Sequence, residues 1–198
     1  MRSRLWIAAA LCLVVSSSVV AQHEHKMSAE EKAMMEAMEK AVAPGPEHKL
    51  LEGTIGTWNT VVKYYPAPGA PAFESTGVSK NQWVLGGRYV EQRFKGTSMG
   101  KPFEGIGYTG YDKIRKQYFG TWMDSMSTSA MLSTGQAEKG GKNWSFVGTM
   151  DDPMSGQSMP VTETITIVDK NKHVFEMWSP ARDGSTYKSM EITYTRKK

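Results

Sequence analysis

The stretch Gly56-Thr57-Trp58 opens a long region of alternating apolar and polar residues, and Tyr194-Thr195-Arg196 nearly closes it. A β-barrel brings its first and last strands side by side, because closure leaves no unpaired sheet edge. An indole on the first strand can then lie beneath a guanidinium from the last strand and close one end of the barrel by cation–π packing. The two stretches therefore predict that Trp58 and Arg196 meet and that the chain between them forms one barrel.

The pattern between these two ends has a period of two, and clusters of turn-forming residues interrupt it at short intervals. No helical pattern separates the strands, which is typical of an antiparallel meander. The sequence therefore predicts an all-β fold, an antiparallel up-and-down β-barrel of about ten strands. The predicted strands are residues 55–64, 73–84, 88–95, 101–110, 116–124, 127–136, 142–150, 159–168, 173–179 and 185–196.

The same alternation predicts which side chains point into the barrel. Glu163 shares a face with Ile165 and Ile167, and Arg88 shares a face with Val90. Burying a charged group is costly unless the charge is paired. An inward arginine and an inward glutamate are therefore expected either to pair with each other or to hold a ligand.

Residues 1–21 have the form of a cleavable export signal. Arg2 and Arg4 supply its positive charge, an apolar stretch follows, and small residues around Ala21 allow cleavage. The only cysteine, Cys12, lies within this segment. We therefore expect a periplasmic or secreted protein that has no transmembrane anchor and no disulfide in its mature form.

The charge pattern argues against nucleic-acid binding. The formal net charge is +4, and two of these positive charges belong to the export signal. The remaining lysines and arginines are scattered, apart from Arg196-Lys197-Lys198 at the C-terminus. A basic patch of the kind that binds nucleic acid is therefore not predicted.

Residues 22–46 differ in character from the barrel region. Ser28 and Glu31 form a capping box at the start of a predicted helix over residues 29–43, and Pro44-Gly45-Pro46 ends it. Methionines along one face of this helix are expected to pack on the barrel or to cover its mouth, with partner binding or metal binding as the alternative. The predicted organisation is a signal peptide (1–21), a Met-rich helix and linker (22–46) and a barrel domain (47–198).

Several short motifs occur here in the same order as in a known family. They are Glu47-His48-Lys49-Leu50-Leu51, Gly56-Thr57-Trp58, Leu85-Gly86-Gly87-Arg88, Gly107-Tyr108-Thr109-Gly110-Tyr111-Asp112, Trp122-Met123-Asp124 and Tyr194-Thr195-Arg196. From about Pro46 to the C-terminus the chain resembles the bacterial family catalogued as domain of unknown function 1579. That family is similar to the calycin group, which includes lipocalins, fatty-acid-binding proteins and nitrobindins. The resemblance implies a lipocalin-like barrel and carries no established activity.

The preferred candidate site is a set of polar side chains expected to face the lumen beside aromatic ones. An apolar pocket with a few convergent polar groups suits a small-molecule ligand. The candidate ligand-binding residues are Arg88, Tyr108, Trp122, Asp124, Glu163 and Trp178. Two other interpretations stay open: the charged members could form an internal salt-bridge network, and Asp124 could anchor a turn.

These observations predict an exported protein that binds a small, largely apolar molecule in the barrel lumen. No cofactor is predicted, and the motifs of nucleophilic, zinc and phosphate-handling enzymes are absent from the sequence. A hydrolase or isomerase that uses lumen carboxylates, such as Asp124 and Glu163, is an alternative hypothesis.

Two further alternatives concern metals. Thioethers and imidazoles suit Cu(I), and His23 and His25 lie near the predicted mature N-terminus. An alternative hypothesis is therefore a metal-handling or partner-binding envelope protein that acts through its Met/His-rich N-terminal segment. The methionine candidates are Met123, Met126, Met131, Met150, Met154 and Met159. His173 could hold haem, as one histidine does in nitrobindin-like barrels. The polar turn at 169–172 before it instead favours a solvated strand end.

Overall fold

The computed structural model describes residues 27–152 and 156–198. The expected signal peptide, the paired histidines and Met154 lie outside these ranges. The described residues divide into two units, one that ends at Lys40 and one that begins at Ala41. None of the helices within the described ranges combines the length and the hydropathy of a membrane span.

The first unit contains most of helix α1 (Ala29–Val42), and its capping box forms as predicted. The Ser28 N–H donates to the Glu31 carboxylate over 2.7 Å, and the Glu31 N–H donates to the Ser28 hydroxyl over 3.2 Å. These two bonds satisfy amide groups that the first turn of a helix leaves without partners. The expected packing of the methionine-bearing face on the barrel stays a prediction.

The second unit is a closed antiparallel barrel in which each strand pairs with its neighbours in sequence and the first pairs with the last. A short helix α2 (Pro46–Leu50) and a 3₁₀ turn (Leu51–Thr54) precede the barrel. Its strands are β1 (Gly56–Tyr64), β2 (Phe73–Val84), β3 (Tyr89–Ser98), β4 (Lys101–Asp112), β5 (Gln117–Asp124), β6 (Met131–Ala137), β7 (Asn143–Asp152), β8 (Gln157–Asp169), β9 (Lys172–Pro180) and β10 (Thr186–Arg196). The predicted architecture is confirmed.

Closure occurs where the sequence predicts it. Trp58 on β1 lies opposite Arg196 on β10, and the guanidinium carbon lies 4.2 Å from the centre of the indole ring. The Arg196 guanidinium also donates to the backbone carbonyls of Ile55 and Lys170. Trp58 has no exposed surface. The cation–π pair therefore closes the barrel end at which β1 begins, which we call the floor; the opposite end is the mouth.

The nine residues from Pro46 to Thr54, which we call the plug, cover the floor end of the barrel, with His48 and Leu51 buried and Pro46, Lys49 and Glu52 exposed. Leu51 packs in the main core cluster with Val90, Tyr118, Trp144 and Phe146. Burial of such large side chains provides most of the stabilisation available to a barrel without disulfides. The floor half is consequently filled with side chains.

The largest departure from the predicted strands is in β6, which begins at Met131 rather than at residue 127. The Asp124 carboxylate accepts the Met126 N–H over 2.9 Å, and the Ser129 N–H donates to the Ser127 hydroxyl over 3.1 Å. Short polar side chains that bond to nearby backbone compete with strand pairing. These bonds hold the preceding segment as a loop at the mouth.

Candidate ligand site in the barrel lumen

A cavity of about 60 Å³ lies inside the barrel, between the plug and the middle of the lumen. One part of its wall is apolar and another carries amide, hydroxyl and imidazole groups. The lining residues are Leu51, Thr54, Asn81, Val90, Gln92, Thr109, Trp144, Ile165, His173, Phe175 and Tyr194.

A chain of hydrogen bonds runs along the polar part of this wall. The Gln92 side-chain amide donates to the hydroxyls of Ser79 and Tyr194, each over 3.1 Å. The Ser79 hydroxyl donates to the Asn81 side-chain oxygen over 2.8 Å, and the Asn81 amide donates to the Thr54 carbonyl over 3.0 Å. The network joins β2, β3 and β10 to the plug, and these strands follow one another around the barrel with only β1 between β10 and β2, so it fixes the polar groups along one continuous part of the wall.

His173 belongs to a column of rings that rises from the floor to the cavity. Its imidazole stacks on the Tyr194 ring with centres 4.2 Å apart, and it meets the Trp58 ring edge-on at 4.4 Å. Burial, with a smaller effect of the Arg196 charge, lowers the pKa of His173 to about 4. The ring is therefore neutral at neutral pH. Among the described residues its Nδ1 atom has no hydrogen-bond partner.

The prediction that His173 is a solvated strand end is wrong. The polar turn ends at Lys172, where β9 begins, and alternation then turns the next side chain inward. His173 is only 4 % exposed and lies opposite Tyr194. The alternation of β9 contained this signal, since His173 shares a face with Phe175 and Met177.

Glu163 faces the interior, as predicted, and is buried. Burial raises the pKa of its carboxyl, and the hydrogen-bonding hydroxyl of Ser133 opposes this effect. No salt bridge in the described part of the chain includes Glu163. Burial, opposed by the Gln92 hydrogen bond and reinforced by the Glu163 charge, raises the pKa of Tyr194 to about 12. The lumen therefore holds a carboxyl whose charged form is disfavoured by burial and a phenol that stays protonated at neutral pH.

The expectation that Arg88 joins Glu163 in the lumen is wrong. Arg88 lies in the turn Leu85–Arg88 at the floor, and its guanidinium donates to the Leu85 carbonyl over 3.2 Å. The strand that was expected to start at residue 88 begins one residue later, so alternation does not reach Arg88. A salt bridge between the two groups is thus not formed.

Asp124 is the turn anchor that the sequence left open as one of two interpretations. One carboxylate oxygen accepts the Met126 N–H, and the other accepts the Trp122 indole N–H over 3.0 Å. Trp122 itself lies across Gly105 and Gly107 of β4, where a Cβ on Gly105 would come within 2.2 Å of its ring. The Asp124 carboxylate thus stabilises the mouth loop and the Trp122 indole, and it makes no hydrogen bond with Glu163.

Tyr108 and Trp178 do not face the lumen, contrary to the sequence prediction. The Tyr108 hydroxyl donates to Glu91 over 3.1 Å on the outer surface, beside Arg93. Trp178 is 37 % exposed and lies next to Met177 and Ser179, whose side chains are buried. Along each strand, alternate side chains point outward, and both residues occupy outward positions. The prediction placed them in the lumen because they are aromatic, although the alternation of their strands indicated the outer surface.

None of the six residues predicted to bind a ligand lines this cavity. The sequence pointed to charged groups, whereas the polar part of the wall is uncharged at neutral pH. Its members are Thr54, Asn81, Gln92, Thr109, His173 and Tyr194, and Ser79 links Gln92 to Asn81 behind them. Within the described residues no three His, Cys, Asp or Glu side chains are grouped to hold a metal ion. A cavity of about 60 Å³ is also far below the roughly 300–1,000 Å³ of common cofactor pockets. Haem beside His173 is therefore not supported.

A closed ten-strand meander with a plugged floor and a central cavity defines the class of lipocalin-like up-and-down barrels. Residues 43–196 match the family described as proteins of unknown function (DUF1579), and the chain belongs to that family. No curated protein matches the chain.

Two solved structures share this fold at low sequence identity. Rv2717c from M. tuberculosis is 11 % identical, with a TM-score of 0.59 over 79 % of this chain and 100 % of that chain. The S-type phycobiliprotein lyase CPES from Guillardia theta is 12 % identical, with a TM-score of 0.51 over 81 % of this chain and 97 % of that chain. At such identities the likeness concerns the fold.

Proposed function

We propose that this protein binds a small, uncharged and largely apolar molecule inside its barrel, with the polar end of the molecule at the cavity. The apolar body would lie against the core side chains, and the polar end would meet Gln92, Tyr194 and His173. These three groups are uncharged at neutral pH, because His173 has lost its proton and Tyr194 retains its own. A neutral hydrogen-bonding group therefore suits the site better than an ion does.

The observation that carries this proposal is unused hydrogen-bonding capacity beside a cavity. His173 Nδ1 and Thr60 Oγ1 are buried without partners among the described residues, and each such atom costs about 1–3 kcal/mol. Native proteins rarely leave buried polar atoms without a hydrogen-bond partner. These two atoms therefore indicate a bound molecule or ordered water. The imidazole lines the cavity directly.

The size of the cavity limits how the molecule is held. A volume of about 60 Å³ accepts only a few non-hydrogen atoms, given about 30 Å³ for each water in the liquid. The remainder of a larger ligand would extend towards the mouth, past Met177 and Met190, which lie opposite each other. Methionine has three flexible bonds and adapts to irregular shapes. We infer that these two side chains move aside when the ligand enters.

The structures with a similar fold support the barrel architecture, but they do not identify a ligand for this chain. One of them is a phycobiliprotein lyase, so a barrel of this kind can serve an activity as well as simple binding. The proposal for the present chain consequently rests on its own cavity and polar network.

Native mass spectrometry of the protein isolated from its own host tests this function. We expect one small molecule per chain in the wild type, and its loss in Gln92→Leu and in Tyr194→Phe. Gln136→Leu is the matched control, because Gln136 is exposed and bonds only to the Lys116 carbonyl. Protein that carries no small molecule, or that carries the same compound in all four forms, would contradict the proposal.

We also propose that the protein is exported after cleavage near Ala21, which the charged and apolar pattern of residues 1–21 supports. The mass of the protein recovered from the host shows directly whether residues 1–21 have been removed. A chain that retains its first residues and fractionates with the cytoplasm would refute export while leaving the ligand proposal intact.

A further inference from the structure

Three methionines form a row across adjacent strands just inside the mouth. Met150 on β7 lies directly opposite Met159 on β8. On β6 the pairing with β7 ends at Leu132, opposite Thr149, and one further step of the same register towards the mouth would set Met131 across from Met150. Residues opposite each other in an antiparallel pair have Cβ atoms about 4.5–5.5 Å apart. All three side chains share the inward face with Ser133, Phe146 and Val161, which are buried.

The surroundings of this row leave room for the thioethers to converge. The next inward row towards the floor is Ser133, Gly148 and Val161, of which the first two are small. Trp122, which lies opposite Met131, turns away from it and covers Gly105 on β4. The three methionines are half-buried, so a solute can reach them from the mouth.

We propose that Met131, Met150 and Met159 bind one soft monovalent cation, Cu(I) or its analogue Ag(I). Thioether sulfur is a soft ligand that selects Cu(I) over hard or borderline cations. The described residues offer no competing group of three His, Cys, Asp or Glu side chains. The nearby Asp124 carboxylate is already engaged by Trp122 and Met126. The site is separate from the cavity beneath it and does not depend on the proposed ligand.

Packing alone does not require this arrangement. Methionine fills irregular cores, but leucine or valine would fill the wall of a barrel with better-defined rotamers. Met123 and Met126, which the sequence also suggested as ligands, are exposed and stay outside the row. They therefore provide a matched control at the same end of the barrel.

The test is an anaerobic titration of the full chain with Cu(I), in competition with bathocuproine disulfonate. We expect one Cu(I) per chain in the wild type and at least a tenfold loss of affinity in Met150→Leu/Met159→Leu. Met123→Leu/Met126→Leu should bind as the wild type does. Exchange of methionine for leucine conserves volume, so the variants should remain folded.

A second measurement reads the site without any substitution. In protein labelled with ¹³C at the methionine methyl groups, Ag(I) should shift the signals of Met131, Met150 and Met159 and leave that of Met177 in place.

His23→Ala/His25→Ala should not change the affinity for Cu(I). Absence of Cu(I) binding, binding lost only in the histidine variant, or binding equal in both methionine variants would each overturn the proposal.

Discussion

Gly56 shows how one missing side chain makes the floor possible. Its φ is +137°, a region that residues with a Cβ rarely adopt, and a Cβ there would lie 2.3 Å from an Arg196 guanidinium nitrogen. Gly56→Ala should therefore lower the free energy of unfolding by about 1–3 kcal/mol. Gly53→Ala is the control, since a Cβ there makes ordinary contact at 3.5 Å with Ile167. Urea unfolding that shows equal stability for the two variants would contradict this account of the floor.

His173 should make stability depend on pH. Its pKa is about 4 in the folded protein and near 6.5 in the unfolded chain, so between these values only the unfolded state binds the proton. The free energy of unfolding should then fall by about 3 kcal/mol as the pH drops through this window. His173→Gln should remove that contribution. The difference between the two proteins is measured by urea unfolding at pH 7 and at pH 4, and parallel pH profiles would refute the prediction.

Glu163 should act in the opposite direction. Its raised pKa means that the folded protein keeps a proton that the unfolded chain releases, so this group lowers stability as the pH rises through the folded value. Glu163→Gln should accordingly gain stability relative to the wild type at pH 8 compared with pH 4. Glu104→Gln on the outer surface serves as control. A gain that is the same at both pH values would argue against a buried, proton-holding carboxyl.

At the scale of elements, the plug determines how far the lumen extends. Leu51 is buried in the core cluster, while the Tyr118 hydroxyl donates to the Glu47 carbonyl and Trp83 donates to Glu52. Leu51→Ala should cost about 2–5 kcal/mol. Leu132→Ala, at a side chain that is 62 % exposed, should change stability by less than about 0.5 kcal/mol. Similar midpoints of thermal unfolding for the two variants would show that the plug is dispensable.

The elements were largely predictable, because strand alternation and turn residues are local signals. All ten strands occur close to their predicted bounds, and the Ser28–Glu31 capping box forms. The site was predicted less well. Arg88 fell one residue outside its strand, and Tyr108 and Trp178 have outward parity. Glu163 was placed correctly because its neighbours Ile165 and Ile167 fix the parity of β8.

What the sequence could not supply is the three-dimensional neighbourhood of uncharged polar groups. The bond from Gln92 to Tyr194 spans 102 positions along the chain, and no local pattern records it. The position of the plug likewise depends on distant contacts, such as those of Leu51 with Val90, Tyr118 and Trp144. Such contacts follow from closure and from the fit of side chains.

For the whole molecule, closure of the barrel depends on the cation–π pair at the floor. Trp58→Ala removes a fully buried indole from the floor and should cost about 3–5 kcal/mol. Trp178→Ala removes an indole from the outer wall and should cost less than about 1 kcal/mol. Urea unfolding of both variants measures the difference. Equal losses would mean that the pair of Trp58 and Arg196 does not hold the barrel closed.

The pairing of β1 with β10 also affects how the protein is made. Synthesis proceeds from the N-terminus, so β1 waits on the ribosome without one of its two neighbours until almost the whole chain has emerged. Contacts between such distant segments form slowly. In a nascent chain of this design the hairpins between neighbouring strands can form early, but the barrel closes only after β10 has left the ribosome.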